Sequence, residues 1–122
     1  MQLLIDHDVR DDAVVVRVEG EIDSGTIDEF SSYLMTALSV ASSHPARLLV
    51  VNLQDIAFFG SAGMNAVLSC YERGLSQQTT VRLVANHRAV VRPIELMNLD
   101  TVLALYPSEA AALNLHDTPE QP

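Results

Sequence analysis

Strand-like and helix-like segments alternate along most of the chain, and this alternation restricts the possible folds more than any other feature. Continuous or β-branched apolar runs are typical of buried strands, whereas apolar residues spaced three and four apart are typical of amphipathic helices. The strand-like runs are AVVVRVEG at 13–20, RLLVVNL at 47–53 and TVRLVA at 80–85. Because a helical pattern follows each of them, we expect right-handed β-α-β crossovers and a mostly parallel sheet.

The chain begins with a short apolar segment, residues 3–5, that predicts a first strand. The polar residues 8–13 predict a turn, so this strand should form an antiparallel hairpin with 13–20. The predicted fold class is therefore α/β: a single domain with a mixed, mostly parallel sheet of four to five strands, an N-terminal antiparallel hairpin and about four helices. We assign residues 1–116 to this domain and residues 117–122 to a flexible C-terminal tail.

The first helical pattern begins after the loop-forming residues 20–25. Thr26 is the expected N-cap, and Glu29 follows at the spacing of a capping box. The pattern should end at the polar segment 42–45. Its apolar stripe is Ile27, Phe30, Leu34, Leu38 and Ala41. This spacing predicts a helix that covers one face of the sheet.

Two further helical patterns each contain a residue that interrupts helices. Gly74 should end the second helix. Pro93 lacks a backbone N–H, so the third helix should begin late or bend there. We also expect a short strand at 101–106 and a final helix that starts near Pro107 or Ser108. The apolar stripes are Met64, Val67, Leu68, Tyr71 and Leu75 in the second helix and Val90, Ile94 and Met97 in the third.

The chain is strongly acidic, and its charge limits its possible partners. Its 122 residues carry 16 acidic against 7 basic side chains, a net charge of -9 at pH 7. Such a surface repels nucleic acid and anionic membranes, whereas it suits a basic protein partner. No stretch approaches the ~20 apolar residues of a membrane helix, and the N-terminus has no signal-peptide pattern.

Cys70 is the only cysteine, so it cannot form an intramolecular disulfide, and no Cys/His spacing is typical of zinc. We therefore expect a reducing, cytoplasmic environment and a Cys70 thiol packed in the core. GSAG at 60–63 is too short for a phosphate-binding loop and has no lysine, and the sequence has no metal-ligand cluster or nicotinamide fingerprint, so we expect no metal and no cofactor. At least one of Phe58 and Phe59 should be a core residue.

A serine lies between two glycines where the strand 47–53 gives way to the second helix. The segment 57–63 should be a turn at the carboxyl end of that strand. Functional sites of parallel α/β sheets usually lie at this edge. Helix N–H groups and the helix dipole favour negative charge at Ser61, so its hydroxyl can carry a phosphate at low electrostatic cost. The structural alternative makes Ser61 a simple N-cap, with Gly60 and Gly63 present for a tight turn and close packing.

A nucleophilic serine is another chemical interpretation of this junction. The G-x-S-x-G nucleophile elbow of hydrolases needs glycine where Phe59 stands. No sequence spacing places His44, His87 or His116 beside Ser61. We therefore expect no enzyme; an esterase would require ester turnover that Ser61→Ala abolishes.

Three segments, which together span nearly the whole chain, resemble one known family. They are GEIDSGT at 20–26, DIAFFGSAGMNAV at 55–67 and LMNLDTVLALYPSEAAAL at 96–113. In this order they are similar to the STAS domain of bacterial anti-sigma factor antagonists. The resemblance implies a STAS-like fold and a regulator that acts by binding another protein.

The resemblance also implies a partner switch. In the family, the unphosphorylated antagonist binds an anti-sigma factor that is also a serine kinase of the histidine-kinase-like ATPase type, which frees a sigma factor for transcription. The kinase then phosphorylates a serine at the start of the second helix, the antagonist is released, and a serine phosphatase resets it. Ser61 matches that serine, and Asp23 matches a family acidic residue close to it. The implied partner-binding residues are Asp23, Ser24, Gly60, Ser61, Ala62, Gly63 and Asn65, in a monomer or weak dimer.

The chain departs from the family pattern beside the serine. The family turn is often Asp-Ser-Ser-Gly or Asp-Ser-Thr-Gly, whereas here it is Gly60-Ser61-Ala62-Gly63. An acidic neighbour and a second hydroxyl are therefore missing. This difference leaves open a second hypothesis, a constitutive STAS-type subunit of a transporter or signalling assembly without a phospho-switch. Asp23 also has a purely structural interpretation, as a loop or cap residue.

Overall fold

The computed structural model describes residues 3–114, which form a five-stranded sheet with helices against both faces. The strands lie side by side in chain order; the first pair is antiparallel and the later pairs are parallel. The strands are β1 (Leu4–Val9), β2 (Val14–Ile22), β3 (Leu48–Phe59), β4 (Thr80–Val84) and β5 (Leu105–Tyr106). The helices are α1 (Ile27–Ser42), α2 (Ser61–Ser76), α3 (Arg88–Leu96), a 3₁₀ turn at Leu99–Thr101, and α4 (Glu109–Leu113). The predicted fold class is confirmed.

The sheet is buried on both faces in its centre because alternate residues of one strand face different helices. Val14 and Val16 of β2 pack with α1 and α2 on the inner face, whereas Val15 packs with α4 on the outer face. This two-sided burial explains why the strand sequence is a continuous apolar run and not an alternation of apolar and polar residues. Each fully buried aliphatic side chain contributes ~1.5–3 kcal/mol of transfer free energy.

The outer face is held to α4 by a polar network. Arg17 on β2 donates two hydrogen bonds to the Glu109 carboxylate, at 2.7 and 2.9 Å, and Asn52 on β3 donates a third at 2.6 Å. The Arg17 hydrogen bonds hold the pKa of Glu109 below its usual range. The Ser108 hydroxyl caps α4 by accepting the Ala111 N–H at 3.1 Å, so the predicted start of the last helix is confirmed.

Strand β3 is longer than predicted, and the predicted turn at 57–63 is wrong. The strand continues to Phe59, and Gly60 alone connects it to α2. Its register against β2 shifts between Arg17 and Glu19 and again between Gly20 and Glu21. The prediction followed a continuous apolar run that ends before Gln54 and Asp55, whereas the paired strand continues past these polar residues and through both irregularities. Gly20 has φ 127, a backbone conformation that side chains with a Cβ rarely adopt.

The end of α2 also differs from the prediction. Gly74 lies inside the helix, which ends at Ser76, and Leu75 is 61% exposed instead of belonging to the buried stripe. A Cβ at position 74 would lie 2.8 Å from the Thr79 carbonyl oxygen and 2.9 Å from Val81 Cγ2. The glycine therefore permits close packing against the start of β4 and does not terminate the helix.

Helix α1 agrees with its predicted stripe, whereas the later elements agree only in part. The stripe residues Phe30, Leu34, Leu38 and Ala41 are buried, Ile27 is partly buried against the core, and the helix ends at Ser42.

Helix α3 runs through Pro93 with Val90 and Ile94 buried, but Met97 lies just beyond it and is 59% exposed. Of the predicted strand 101–106, only the last two residues form β5. Pairing with β4 involves two residue pairs, at Leu105 and Tyr106. The residues before Leu105 belong to the end of a 3₁₀ turn and to a loop.

Cys70 is buried in α2, as predicted, and burial raises the pKa of its thiol to about 12. It is therefore protonated at neutral pH. None of the helices within residues 3–114 is long and apolar enough to cross a membrane. The predicted tail at 117–122 lies outside the residues that the structure describes.

Candidate functional site

Ser61 is the first residue of α2 and is exposed to solvent. Gly60, with φ -85 and ψ -178, occupies the N-cap position, and no side chain in the described part of the chain caps this helix. The interpretation of Ser61 as a simple N-cap is therefore wrong. Within residues 3–114 the Ser61 hydroxyl has no hydrogen-bond partner, so it is available for modification at the positive end of the helix dipole.

A backbone hydrogen bond brings the two predicted loop segments together. The Gly60 N–H donates to the Ile22 carbonyl at 3.3 Å, and Ile22 pairs with Phe59 in the sheet. Because Asp23 and Ser24 directly follow Ile22, their loop borders the Gly60 link and the start of α2, where Ser61 lies. The structure thus places the Asp23 loop and the start of α2 at one edge of the sheet.

The Asp23 carboxylate organises its own turn. Its Oδ1 accepts the Gly25 N–H at 2.9 Å and lies 3.4 Å from the Thr26 hydroxyl. That hydroxyl donates to the Glu21 carbonyl at 2.7 Å and accepts the Asp23 N–H at 3.0 Å. The predicted capping box with Glu29 is wrong, because Thr26 occupies the N-cap position without a side-chain cap bond to the helix.

The remaining predicted site residues differ in how far they reach the surface. Asn65 is exposed one turn after Ser61, so both side chains lie on the same face of α2. Ala62 is half-buried. Gly63 is buried, and a Cβ there would lie 2.9 Å from both Ile22 Cγ2 and Phe59 Cε1. Gly63 therefore allows the first turn of α2 to pack closely against the core, and this packing fixes the position of the neighbouring surface residues.

No catalytic partner for Ser61 is present among residues 3–114. His44 Nε2 lies 2.8 Å from the Arg10 carbonyl, and its Nδ1 accepts the Ala46 N–H. His87 Nε2 lies 2.7 Å from the Ile56 carbonyl. His116 lies outside the described residues. The same part of the chain contains no group of three His, Cys, Asp or Glu side chains that could hold a metal ion.

Phe58 is a site residue whose position the sequence did not reveal. Phe59 is buried, as predicted for at least one of the pair, whereas Phe58 is 51% exposed. Its ring lies over Gly60: a Cβ at position 60 would be 3.1 Å from Phe58 Cε2. The FFG sequence alone could not show which aromatic faces solvent, since register shifts decide the orientation of both.

Comparison with known proteins agrees with this geometry. Residues 5–112 match the STAS domain family. The anti-sigma-F factor antagonist RsfA of Mycobacterium tuberculosis is 33% identical over 104 residues, which cover 85% of this chain and 80% of that protein. A crystal structure of an anti-sigma factor antagonist from Mycobacterium paratuberculosis is 31% identical, with a TM-score of 0.82 and 91% of both chains covered.

A more distant structure shares the fold. The antagonist SpoIIAA, a Bacillus protein, in its unphosphorylated form is 18% identical, with a TM-score of 0.69 over 88% of this chain and 92% of its own. The sequence match, the five-stranded sheet and the exposed serine at the start of the second helix lead to one assignment. The chain belongs to the STAS-domain anti-sigma factor antagonist family.

Proposed function

We propose that this chain is a phosphorylation-controlled antagonist that binds an anti-sigma factor and thereby controls sigma-factor-dependent transcription in the cytoplasm. The unphosphorylated chain binds an anti-sigma factor that is also a serine kinase of the histidine-kinase-like ATPase type. Phosphorylation of Ser61 releases the complex, and a serine phosphatase restores binding. The chain itself acts by binding and not by catalysis.

The observation that carries this proposal is the exposed Ser61 hydroxyl at the first position of α2, which has no hydrogen-bond partner among residues 3–114. A kinase can reach the hydroxyl without opening the core. The phosphate would carry about -1.5 to -2 charge, which the positive end of the helix favours. Modification therefore changes the surface while the fold is retained.

Release follows from the cost of burying the phosphate in a protein interface. A charge that loses water and gains no partner is strongly unfavourable, and the nearby Asp23 carboxylate adds to the negative potential. A penalty of about 3–4 kcal/mol would weaken binding several-hundred-fold. The relatives support this direction: RsfA is named as an anti-sigma-F factor antagonist, and SpoIIAA has been solved in phosphorylated and unphosphorylated forms.

The test combines phosphosite mapping with binding measurements. Mass spectrometry after incubation with ATP and the anti-sigma kinase should find phosphate on Ser61 and none in Ser61→Ala. Ser61→Asp should bind the anti-sigma factor at least tenfold more weakly than the parent, whereas Ser61→Ala should bind normally and resist release by ATP. Ser69→Asp is the matched control, because Ser69 is exposed on the same helix two turns away. Equal binding by the parent and both Asp variants would exclude the charge mechanism.

The Gly60 and Ala62 departures support a second candidate, a constitutive binding module of a transporter or signalling assembly. Both residues stand where the family often has an acidic group and a second hydroxyl, which weakens the expected kinase recognition. This candidate predicts a stable complex that is indifferent to ATP and to substitution of Ser61. Absence of phosphate on Ser61, in a reaction where the kinase modifies another substrate of this type, would favour it.

A further inference from the structure

The outer face of the sheet is covered over only part of its length. Helix α4 packs against residues such as Val15 and Val50, in the first halves of β2 and β3. The second halves of the same strands leave a surface that we call the open face. It consists of Glu19 and Glu21 on β2, Asp55, Ala57 and Phe58 on β3, and the neighbouring Leu4 on β1.

The open face concentrates three carboxylates, and no described residue supplies a counter-charge to them. Glu19 and Asp55 are direct register partners on neighbouring strands, and Glu21 lies two residues further along β2 on the same face. None of the three forms an ion pair within residues 3–114. Arg17 borders this surface, but its guanidinium is bound to Glu109. Like charges opposite each other in a sheet are unfavourable, and a basic partner would remove that repulsion.

The same face offers apolar surface that a partner can cover. Phe58 and Leu4 are 51% and 61% exposed. Beside Leu4, an open pocket of about 300 Å³ is lined by Leu4, Glu19 and Asp55, with Arg17 and Asn52 on its other side. An exposed aromatic ring beside charged groups is typical of an interface anchor. Phe58 also contacts the Gly60 turn, so the open face is continuous with the surface around Ser61.

We propose that the open face binds a lysine- or arginine-rich segment of the anti-sigma factor, with an apolar side chain of that segment against Phe58. The identity of the occupant rests on the proposed function, whereas its chemistry rests on the charge of the face. A second copy of this chain would bring the same carboxylates against each other, and nucleic acid would be repelled. The unphosphorylated complex would therefore have two contacts, one switched at Ser61 and one permanent on the open face.

The charge contribution is tested with two matched triple variants and the purified anti-sigma factor, using calorimetry at low and at physiological salt. Glu19→Gln with Glu21→Gln and Asp55→Asn should weaken binding at least tenfold and flatten its salt dependence. The control changes three exposed acidic residues elsewhere: Asp11→Asn with Glu72→Gln and Glu95→Gln. We expect it to stay within threefold of the parent. Equal effects from the two triples would overturn the proposal.

The apolar contribution is tested with Phe58→Ser against Leu75→Ser, because Leu75 is a similarly exposed apolar residue at the distant end of α2. Phe58→Ser should weaken binding at least tenfold, and Leu75→Ser should have little effect. Equal affinities of these two variants would remove Phe58 as an anchor and overturn the proposal.

The Ser61→Asp variant separates the two proposals. If Ser61→Asp binds normally while the open-face triple variant binds weakly, the phospho-switch is wrong and the open-face proposal is supported. If Ser61→Asp binds weakly while the triple variant binds normally, the open-face proposal alone is wrong. If the chain does not bind the anti-sigma factor, an octapeptide of alternating lysine and leucine is the probe, followed by NMR. Shifts confined to residues 19–21 and 55–58 would support the open face. Shifts spread over all acidic surfaces would overturn it.

Discussion

The two halves of the outer sheet face use the same two strands for different purposes. In the first half, Val15 and Val50 are buried under α4, and Arg17 neutralises Glu109. In the second half, the Glu19 carboxylate has no counter-charge within residues 3–114 and Phe58 is half exposed.

The difference shows how one sheet separates stability from recognition. Strand β4 pairs with residues 48–52 of β3, so the sheet supports α4 only beside that part of the strand. The remainder of β3 extends beyond β4 and leads through Gly60 to Ser61 at the start of α2. Stabilising contacts therefore concentrate in the first half, and the surface available to a partner lies in the second.

The largest expected effect tests whether the open half contributes to the core. Phe59→Ala should lower the free energy of unfolding by about 3–5 kcal/mol, because Phe59 is buried against the helices. Phe58→Ala should lower it by less than about 1 kcal/mol, since its half-exposed ring buries less surface. Urea denaturation of both variants gives the two values. Similar losses of stability in the two variants would show that Phe58 is a structural residue, and the contrast between the two halves of the outer face would then be wrong.

The next effect tests the covered half. Arg17→Ala should destabilise the fold by about 1–2 kcal/mol, because it leaves the Glu109 carboxylate without its principal donor in a partly exposed site. Arg92→Ala is the control, since Arg92 is exposed and has no ion pair within residues 3–114. The two denaturation midpoints should differ clearly. If they coincide, the Arg17–Glu109 pair contributes no net stability to the packing of α4.

The pH dependence of stability also tests the Arg17–Glu109 pair, through the titration of Glu109. The pKa of Glu109 is lowered in the folded state, chiefly by the Arg17 hydrogen bonds. Its stabilisation is therefore complete above the unfolded-state pKa of about 4.3 and is lost as pH falls through the lower folded-state value. Glu109→Gln should lose less stability than the parent between pH 5 and the acid limit, on the order of 1 kcal/mol less. Denaturation midpoints measured across that range, with Glu72→Gln as control, give the comparison; parallel curves would contradict it.

The smallest expected effect has the opposite sign. Glu19→Gln should raise the free energy of unfolding by up to about 0.5 kcal/mol, because it removes repulsion from its register partner Asp55. The gain should fall in high salt, where exposed charges are screened. Thermal denaturation at two salt concentrations can detect the shift. A loss of stability in low salt would mean that Glu19 has a stabilising contact in the fold.

The sequence alone determined the order and type of the main elements, because side-chain periodicity reports burial directly. The stripe of α1, the buried β2 run and the cap of α4 at Ser108 all follow from local pattern. The sequence also singled out Ser61, since a serine between glycines at a strand–helix junction is a local feature.

The tertiary structure decided what depends on neighbouring strands and on close approach. The register shifts against β2 carry β3 to Phe59, turn Phe58 outward and make Gly60, not Ser61, the cap of α2. The sequence predicts that Gly74 ends α2. In the structure Gly74 lies inside the helix, because the close contact with the start of β4 leaves no room for a Cβ there. Local periodicity cannot report such features, because each depends on an atom that is distant in the chain and near only after folding.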